Sequence, residues 1–303
     1  WFRHFQNVPD NPGIRENALI LSEHFGLPKS TALPPKILAL ANDPAVRVRF
    51  QAALTLGEFE NPGAQAALLN ILRRDHRFHW SRLAVFSSLR SGASEIFRSL
   101  LADPNFRRTP DGDKIALIRE LADLIGARVE KGEANGAKTV LTTLAESNLS
   151  EPWLIAGLEG LQSGLTRQSG GVKTDSQFAD AIQKIEAGKS SALLTASWKL
   201  SRAIGLTETE TQRQALTQAI QSAGEAARPL AERVVAIRLL GLGSFQTIKQ
   251  PLLTLLEGTQ PAVVQSAVVE MLRTFNEPEI GQTLVARWRA LPPAVKTPVI
   301  QLL

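Results

Sequence analysis

The side chains best suited to chemistry crowd into one stretch, Arg73-Arg74-Asp75-His76-Arg77-Phe78-His79-Trp80-Ser81-Arg82, which holds two of the chain's four histidines. Asp75, His76 and His79 could serve a metal ion, and the arginines could bind an anion or an acidic partner. Zinc wants three or four convergent ligands, however, and the remaining histidines, His4 and His24, lie far upstream. The stretch therefore reads as a solvated turn between helical hairpins.

Other candidates are weaker. Gly170-Gly171, within the segment Thr166 to Ser176, lacks the lysine and hydroxyl of a phosphate-binding loop and follows no strand, so it reads as a flexible connection. The segment Arg128-Val129-Glu130-Lys131-Gly132-Glu133 reads the same way. Tryptophans stand at positions 1, 80, 153, 198 and 288. They could be stacking platforms, but Trp80, Trp153 and Trp198 fall near the starts or middles of expected helices, where a large aromatic plugs the seam between neighbours. No serine pairs with a histidine: the serines are expected on helix surfaces or in loops, and no G-x-S-x-G elbow is present. Glu58 and Glu60 flank a turn. No catalytic, cofactor-binding or metal-ligating residue is assigned, no cofactor is expected, and no small-molecule substrate is evident.

The elements that would position these residues follow from composition and period. Hydrophobic residues make up 44% and aromatics only 6%, with no tyrosine, a balance that suits helices packed through aliphatic and small side chains. Cysteine is absent, which excludes disulfides, thiolate metal sites and C-x-x-C-H haem attachment within these residues and leaves the compartment open. The net charge of +5 comes from 34 basic and 29 acidic residues spread along the chain, a solvated surface rather than a nucleic-acid-binding stripe. Charges interrupt every apolar run, so no membrane span is expected. The first residue is Trp1, no signal peptide is visible, and Pro298 to Leu303 stop inside an expected helix, which reads as a piece of a longer polypeptide.

The repeat is clearest from Asp43 to Gly57. Asp43-Pro44 makes a turn, with Asp43 positioned to cap free amides; Val48, Ala52 and Leu56 recur every four residues beside Ala53; Gly57 ends the helix. So narrow a stripe needs neighbours, and Pro35 to Ala41 and Gly63 to Leu72 supply them. The same phrase returns at Ile14-Arg15-Glu16-Asn17-Ala18, at Trp80 to Ala84, at Glu232 to Ala236 and at Val263 to Ala267. Marker alanines are 34 apart from Ala18 to Ala52, 32 from Ala52 to Ala84 and 31 from Ala236 to Ala267, the period of a two-helix repeat. Leu117 to Gly126, Trp153 to Leu161 and Ala192 to Ile204 are expected as second helices of three further hairpins. The prediction is an all-α solenoid, an α-α superhelix of about eight hairpins over residues 1–303.

The stretch from Asp43 to Gly57 resembles the second helix of a HEAT repeat, in which Asp-Pro is followed by Val-Arg-x-x-Ala-Ala-x-Ala-Leu-Gly. That resemblance implies a right-handed superhelix whose second helices line a concave, partner-binding side. The wording of Asn11 to Leu19, of Val48 to Gly57 and of Lys114 to Ala122 is also similar to the HEAT region of large secreted planctomycete-type proteins. In those chains a propeller-like dehydrogenase domain precedes the repeats and a haem-binding cytochrome c domain follows; neither flanking domain is present here. The resemblance implies a periplasmic or extracellular, redox-linked setting.

The expected function is a non-catalytic scaffold or interdomain spacer, with a protein partner or flanking domains of the same chain as its contacts. The alternatives are a free-standing HEAT adaptor, a nucleic-acid binder using Arg47, Arg49, Arg73, Arg74, Arg77 and Arg82, or a glycosylase or lyase on a helical scaffold that uses Trp80, Trp153 and Trp198.

Overall fold

A computed structural model describes residues 11–25, 33–58, 62–128, 134–167, 174–187, 190–275 and 277–302. Every regular element among them is helical: α1 (Pro12–Phe25), α2 (Leu33–Leu40), α3 (Val46–Leu56), α4 (Pro62–Asp75), α5 (His79–Ser88), α6 (Ala93–Ala102), α7 (Pro104–Arg107), α8 (Gly112–Gly126), α9 (Ala134–Glu146), α10 (Glu151–Thr166), α11 (Ser176–Glu186), α12 (Ser191–Ala203), α13 (Glu210–Gly224), α14 (Leu230–Leu240), α15 (Phe245–Leu255), α16 (Ala262–Leu272), α17 (Pro278–Arg287) and α18 (Pro293–Leu302), with a 3₁₀ turn at Trp288–Ala290. No described helix is long and apolar enough to cross a membrane. From α2 to α18 the two-helix alternation runs eight times, with the short α7 as an extra turn.

The chain divides into two compact units, one ending at Ile185 and the other starting at Glu186. In the first, α1, α3, α5, α8 and α10 stack in one row and α2, α4, α6 and α9 in a second, while α2/α3, α4/α5, α6/α8 and α9/α10 close the hairpins. In the second unit α14, α16 and α18 stack, and α13 and α15 pack beside them. Each helix thus covers its neighbours in line, as expected for a helical solenoid. The marker alanines Ala18, Ala52 and Ala84 lie in α1, α3 and α5 of the first-named row and Ala236 and Ala267 in α14 and α16, while the segments expected around Leu117, Trp153 and Ala192 fall in α8, α10 and α12.

The helix starts follow from local chemistry. Asp103, Asp111, Ser190 and Ser244 accept hydrogen bonds from the free first-turn amides of α7, α8, α12 and α15. Thr209 and Gln212 form a reciprocal capping box on α13. Asp43 holds its turn differently from the cap expected: its Oδ1 accepts from the Ala45 amide at 2.8 Å, while the helix-capping residue Ala45 offers no side-chain bond.

Helix α3 is covered over more than the apolar stripe. Val48, Ala52, Ala53 and Leu56 are buried as expected, but so are Arg49, Gln51 and Thr55, because α3 has neighbours in both rows. Gln51 and Thr55 both donate to Glu23 Oε1 of α1, at 3.0 and 2.6 Å. The charges are therefore not all a solvated surface, and the serines are not all exposed: Arg15, Arg49, Arg82, Arg233, Asp43, Asp75, Glu186, Ser81, Ser197 and Ser201 are buried.

The closest packing joins α8 to α10. A Cβ built on Gly160 would stand 2.1 Å from the Arg119 carbonyl oxygen, and one on Gly164 would stand 2.2 Å from that of Asp123. Backbone meets backbone there, which only glycine permits. Leu117, Leu121, Ile125, Leu154, Leu158 and Leu161 are buried in these two helices.

Candidate functional site

A ladder of buried arginines ties α1, α3 and α14 to the hairpin that follows each of them. Arg15 donates through Nε to Asp43 Oδ2 at 2.6 Å and through Nη2 to Oδ1 at 2.9 Å. Arg49 repeats the fork on Asp75, at 2.7 and 2.5 Å, and its Nη1 also reaches the carbonyls of Asp43 and Pro44. Burial alone would raise the Asp43 pKa, but the bonds from Arg15 and the Ala45 amide and the charges of Arg15 and Arg49 hold it below the ordinary value of 3.8. In the second unit Arg233 bonds the Ala223 carbonyl at 2.8 Å and Gln260 Oε1 at 2.6 Å, so an amide takes the aspartate's place. One signal in the sequence points to this ladder: Arg15, Arg49 and Arg233 each stand three residues before a marker alanine.

The ladder changes the reading of the polar stretch. Asp75 is 1% exposed and committed to Arg49, so it belongs to a buried ion pair and not to a solvated turn. His76 and His79 do not converge. His76 Nδ1 lies 3.1 Å from the Arg73 carbonyl oxygen, with its ring edge-on to Phe106 at 6.1 Å. His79 Nδ1 lies 3.3 Å from Arg82 Nη2 and 3.9 Å from Glu120 Oε1. Arg82 in turn grips Glu120 at 2.8 and 3.0 Å and the His76 carbonyl at 2.6 Å. Among the described residues, no three histidines or carboxylates are placed to share a metal ion.

What this turn does present is an exposed aromatic face. Trp80 is 70% exposed, Phe78 45% and Leu83 39%, and the Trp80 ring tilts against His79 at 5.8 Å. The expectation of a seam-plugging Trp80 is thus corrected: it sits at the start of α5 with most of its surface in water. Trp153 and Trp198 do plug their seams, at 1% and 2% exposure, Trp153 against Phe106 at 5.6 Å and Trp198 in the core of the second unit. Trp288 is partly buried, with Lys296 Nζ over its ring at 5.4 Å. Trp1, His4, Glu60, Gly170 and Gly171, and residues 129–133, lie outside the described residues.

The arginine set weighed for anion binding splits. Arg49 and Arg82 are buried, Arg47 pairs with Glu16, and Arg73 pairs with Asp103 at 3.3 Å. Arg74 reaches the Asn42 carbonyl, at 3.3 Å, and neither it nor the exposed Arg77 has an ion pair among the described residues.

Sequence reasoning missed a second feature, in the second unit. A cleft of about 550 Å³ is lined by Trp198, Arg202, Leu206, Gln212, Phe245 and Phe275, among others. On its polar wall Arg202 is already engaged: it donates to the Gly241 carbonyl at 3.1 Å and lies over the Phe275 ring at 5.0 Å. Behind it, the buried Glu186 carboxylate accepts from Ser197 Oγ at 2.5 Å, Thr209 Oγ1 at 2.7 Å and Gln212 Nε2 at 2.7 Å. Gln212 Nε2 also donates to Ser201 Oγ at 3.3 Å. These hydroxyls are held by a carboxylate and an amide, with no histidine among the cleft residues to activate them. No protein-family model matches the sequence, and no curated protein matches it.

Proposed function

We propose that the chain is a non-catalytic scaffold or spacer of HEAT type, which holds a protein partner or flanking domains of a longer chain at a set distance. The observation that carries this reading is the use of the buried polar groups. Arg15, Asp43, Arg49, Asp75, Arg233 and Glu186, the groups whose burial could have tuned them for catalysis, are consumed in bonds between consecutive helices. Such pairs fix the spacing of repeats more than they add stability. A stack built this way offers a long surface on elements whose relative positions are set by nearest neighbours.

Within this proposal the setting is a larger extracytoplasmic redox protein, which rests on the resemblance of the repeats alone. Cross-linking mass spectrometry of the full-length gene product tests the scaffold reading. Links from exposed lysines such as Lys184 and Lys199 to another domain or a co-purifying protein are expected; a product with no link beyond its own hairpins overturns it. A signal peptide upstream and a C-x-x-C-H motif downstream in the open reading frame would support the redox setting, and a frame with neither would make the chain a free-standing adaptor.

A further inference from the structure

We infer that the start of α5 is a docking surface for an acidic, leucine-bearing segment of a partner protein; this rests on the scaffold reading and names its contact face. Phe78, Trp80 and Leu83 are exposed together on one turn and one helix, and Val46 is exposed at the same end of the adjacent α3. Large apolar side chains grouped in water are what partner surfaces cover, and tryptophan and arginine are the residues that most often anchor them. A tryptophan at 70% exposure, its ring tilted against His79 of its own helix, contributes little to packing, so stability does not account for its place.

Charge decides the kind of partner. Arg74 and Arg77 stand four and one residues before Phe78 and neither has a carboxylate partner among the described residues, while Asp75 between them is spent on Arg49. A segment with carboxylates flanking an apolar side chain satisfies both features at once: the apolar group covers Trp80 and the acids meet the two guanidinium groups. A nucleic acid fits less well. Arg49 and Arg82 are buried, Arg47 and Arg73 are paired with Glu16 and Asp103, and the Glu120 carboxylate lies 3.9 Å from His79, so too few cations remain to follow a phosphate backbone.

The test uses the whole chain and three labelled probes: a fluorescein-tagged glutamate-rich peptide carrying two leucines, its glutamine counterpart, and single-stranded oligothymidylate. The acidic peptide should bind by anisotropy, more weakly as salt rises, and should shield tryptophan emission from acrylamide in the parent chain but not in Trp80→Phe. Trp80→Ala and Arg77→Glu should each weaken binding about tenfold, with unfolding curves unchanged because both side chains are exposed. Failure of the acidic peptide to bind, equal binding of the glutamine peptide, binding unaffected by either substitution, or preference for oligothymidylate overturns the proposal. Cross-links to a partner found elsewhere on the chain, together with a silent peptide assay, would exclude this surface while leaving the scaffold reading standing.

Discussion

Replacing Gly160 with alanine should destabilise the first unit, although alanine is the better helix former. A Cβ at position 160 would lie 2.1 Å from the Arg119 carbonyl oxygen and 3.0 Å from Ala122 Cβ, where contacts under 3.0 Å are essentially never seen, so α10 must retreat from α8 by about 0.9 Å. The obstacle is backbone, which cannot swing aside as a side-chain tip can. A gap of 0.5–1 Å forfeits roughly a quarter to a half of each dispersion contact across the seam. Leu117, Leu121 and Ile125 on α8 and Leu154, Leu158 and Leu161 on α10 all lie in that crossing pair. Overpacking of this kind costs up to about 3 kcal/mol. The propensity gain of alanine over glycine returns about 1 kcal/mol, leaving a net loss of about 2 kcal/mol. Gly224→Ala is the control: it ends α13, nothing lies within 4 Å of its would-be Cβ, and it should gain about 0.5 kcal/mol. Urea unfolding followed by far-ultraviolet circular dichroism and by tryptophan emission, to which Trp153 of α10 contributes, gives both midpoints. A Gly160→Ala chain that unfolds at the parent's urea concentration or higher would refute the argument that backbone contact, not propensity, governs this seam.

Three further outcomes follow from the ladder and the seams. Arg49→Met alone should cost about 3–5 kcal/mol, because Asp75 is left as a buried unpaired charge, whereas Arg49→Met with Asp75→Leu should cost much less; equal losses in urea titrations of the two would refute this. Asp43, whose pKa is depressed in the folded chain, contributes stability that is complete above the ordinary aspartate value of 3.8 and is lost as pH falls through the lower folded value. The stability gap between the parent and Asp43→Asn should accordingly hold steady near neutral pH and close in acid, and a gap unchanged across that range would contradict the assignment. Trp153→Ala should cost about 3–5 kcal/mol by emptying a packed site, and thermal melts should show that drop where Trp80→Ala shows almost none.

How much was legible before the fold was known can be judged from a few side chains. The period of Val48, Ala52 and Leu56, with the alanines that recur about every 32 residues, placed the helices α1, α3, α5, α14 and α16, and the apolar segments around Leu117, Trp153 and Ala192 placed α8, α10 and α12. Those features are local, since apolar spacing and turn residues act within one helix and its caps. Trp80 and Trp153 show the limit. Both stand near the start of a second helix, yet Phe106 meets Trp153 and buries it while Trp80 stays 70% exposed, and what covers a position is supplied by another hairpin. The cleft beside Trp198 escaped notice for the same reason, its walls coming from α12, α13, the turn before α15 and residues that precede α17.

The chain's order of residues was enough to specify helices, their ends and their pairing in hairpins, because those depend on spacings of three and four residues and on turns a few residues long. Only the packed structure decided that Arg49 and Asp75 are a buried pair, that Gly160 lets two backbones touch, and that Trp80 faces water. The first two depend on an atom brought in from another helix, up to about forty residues away, and the third on none arriving to cover the ring, so burial is a property of the pairing rather than of the residue.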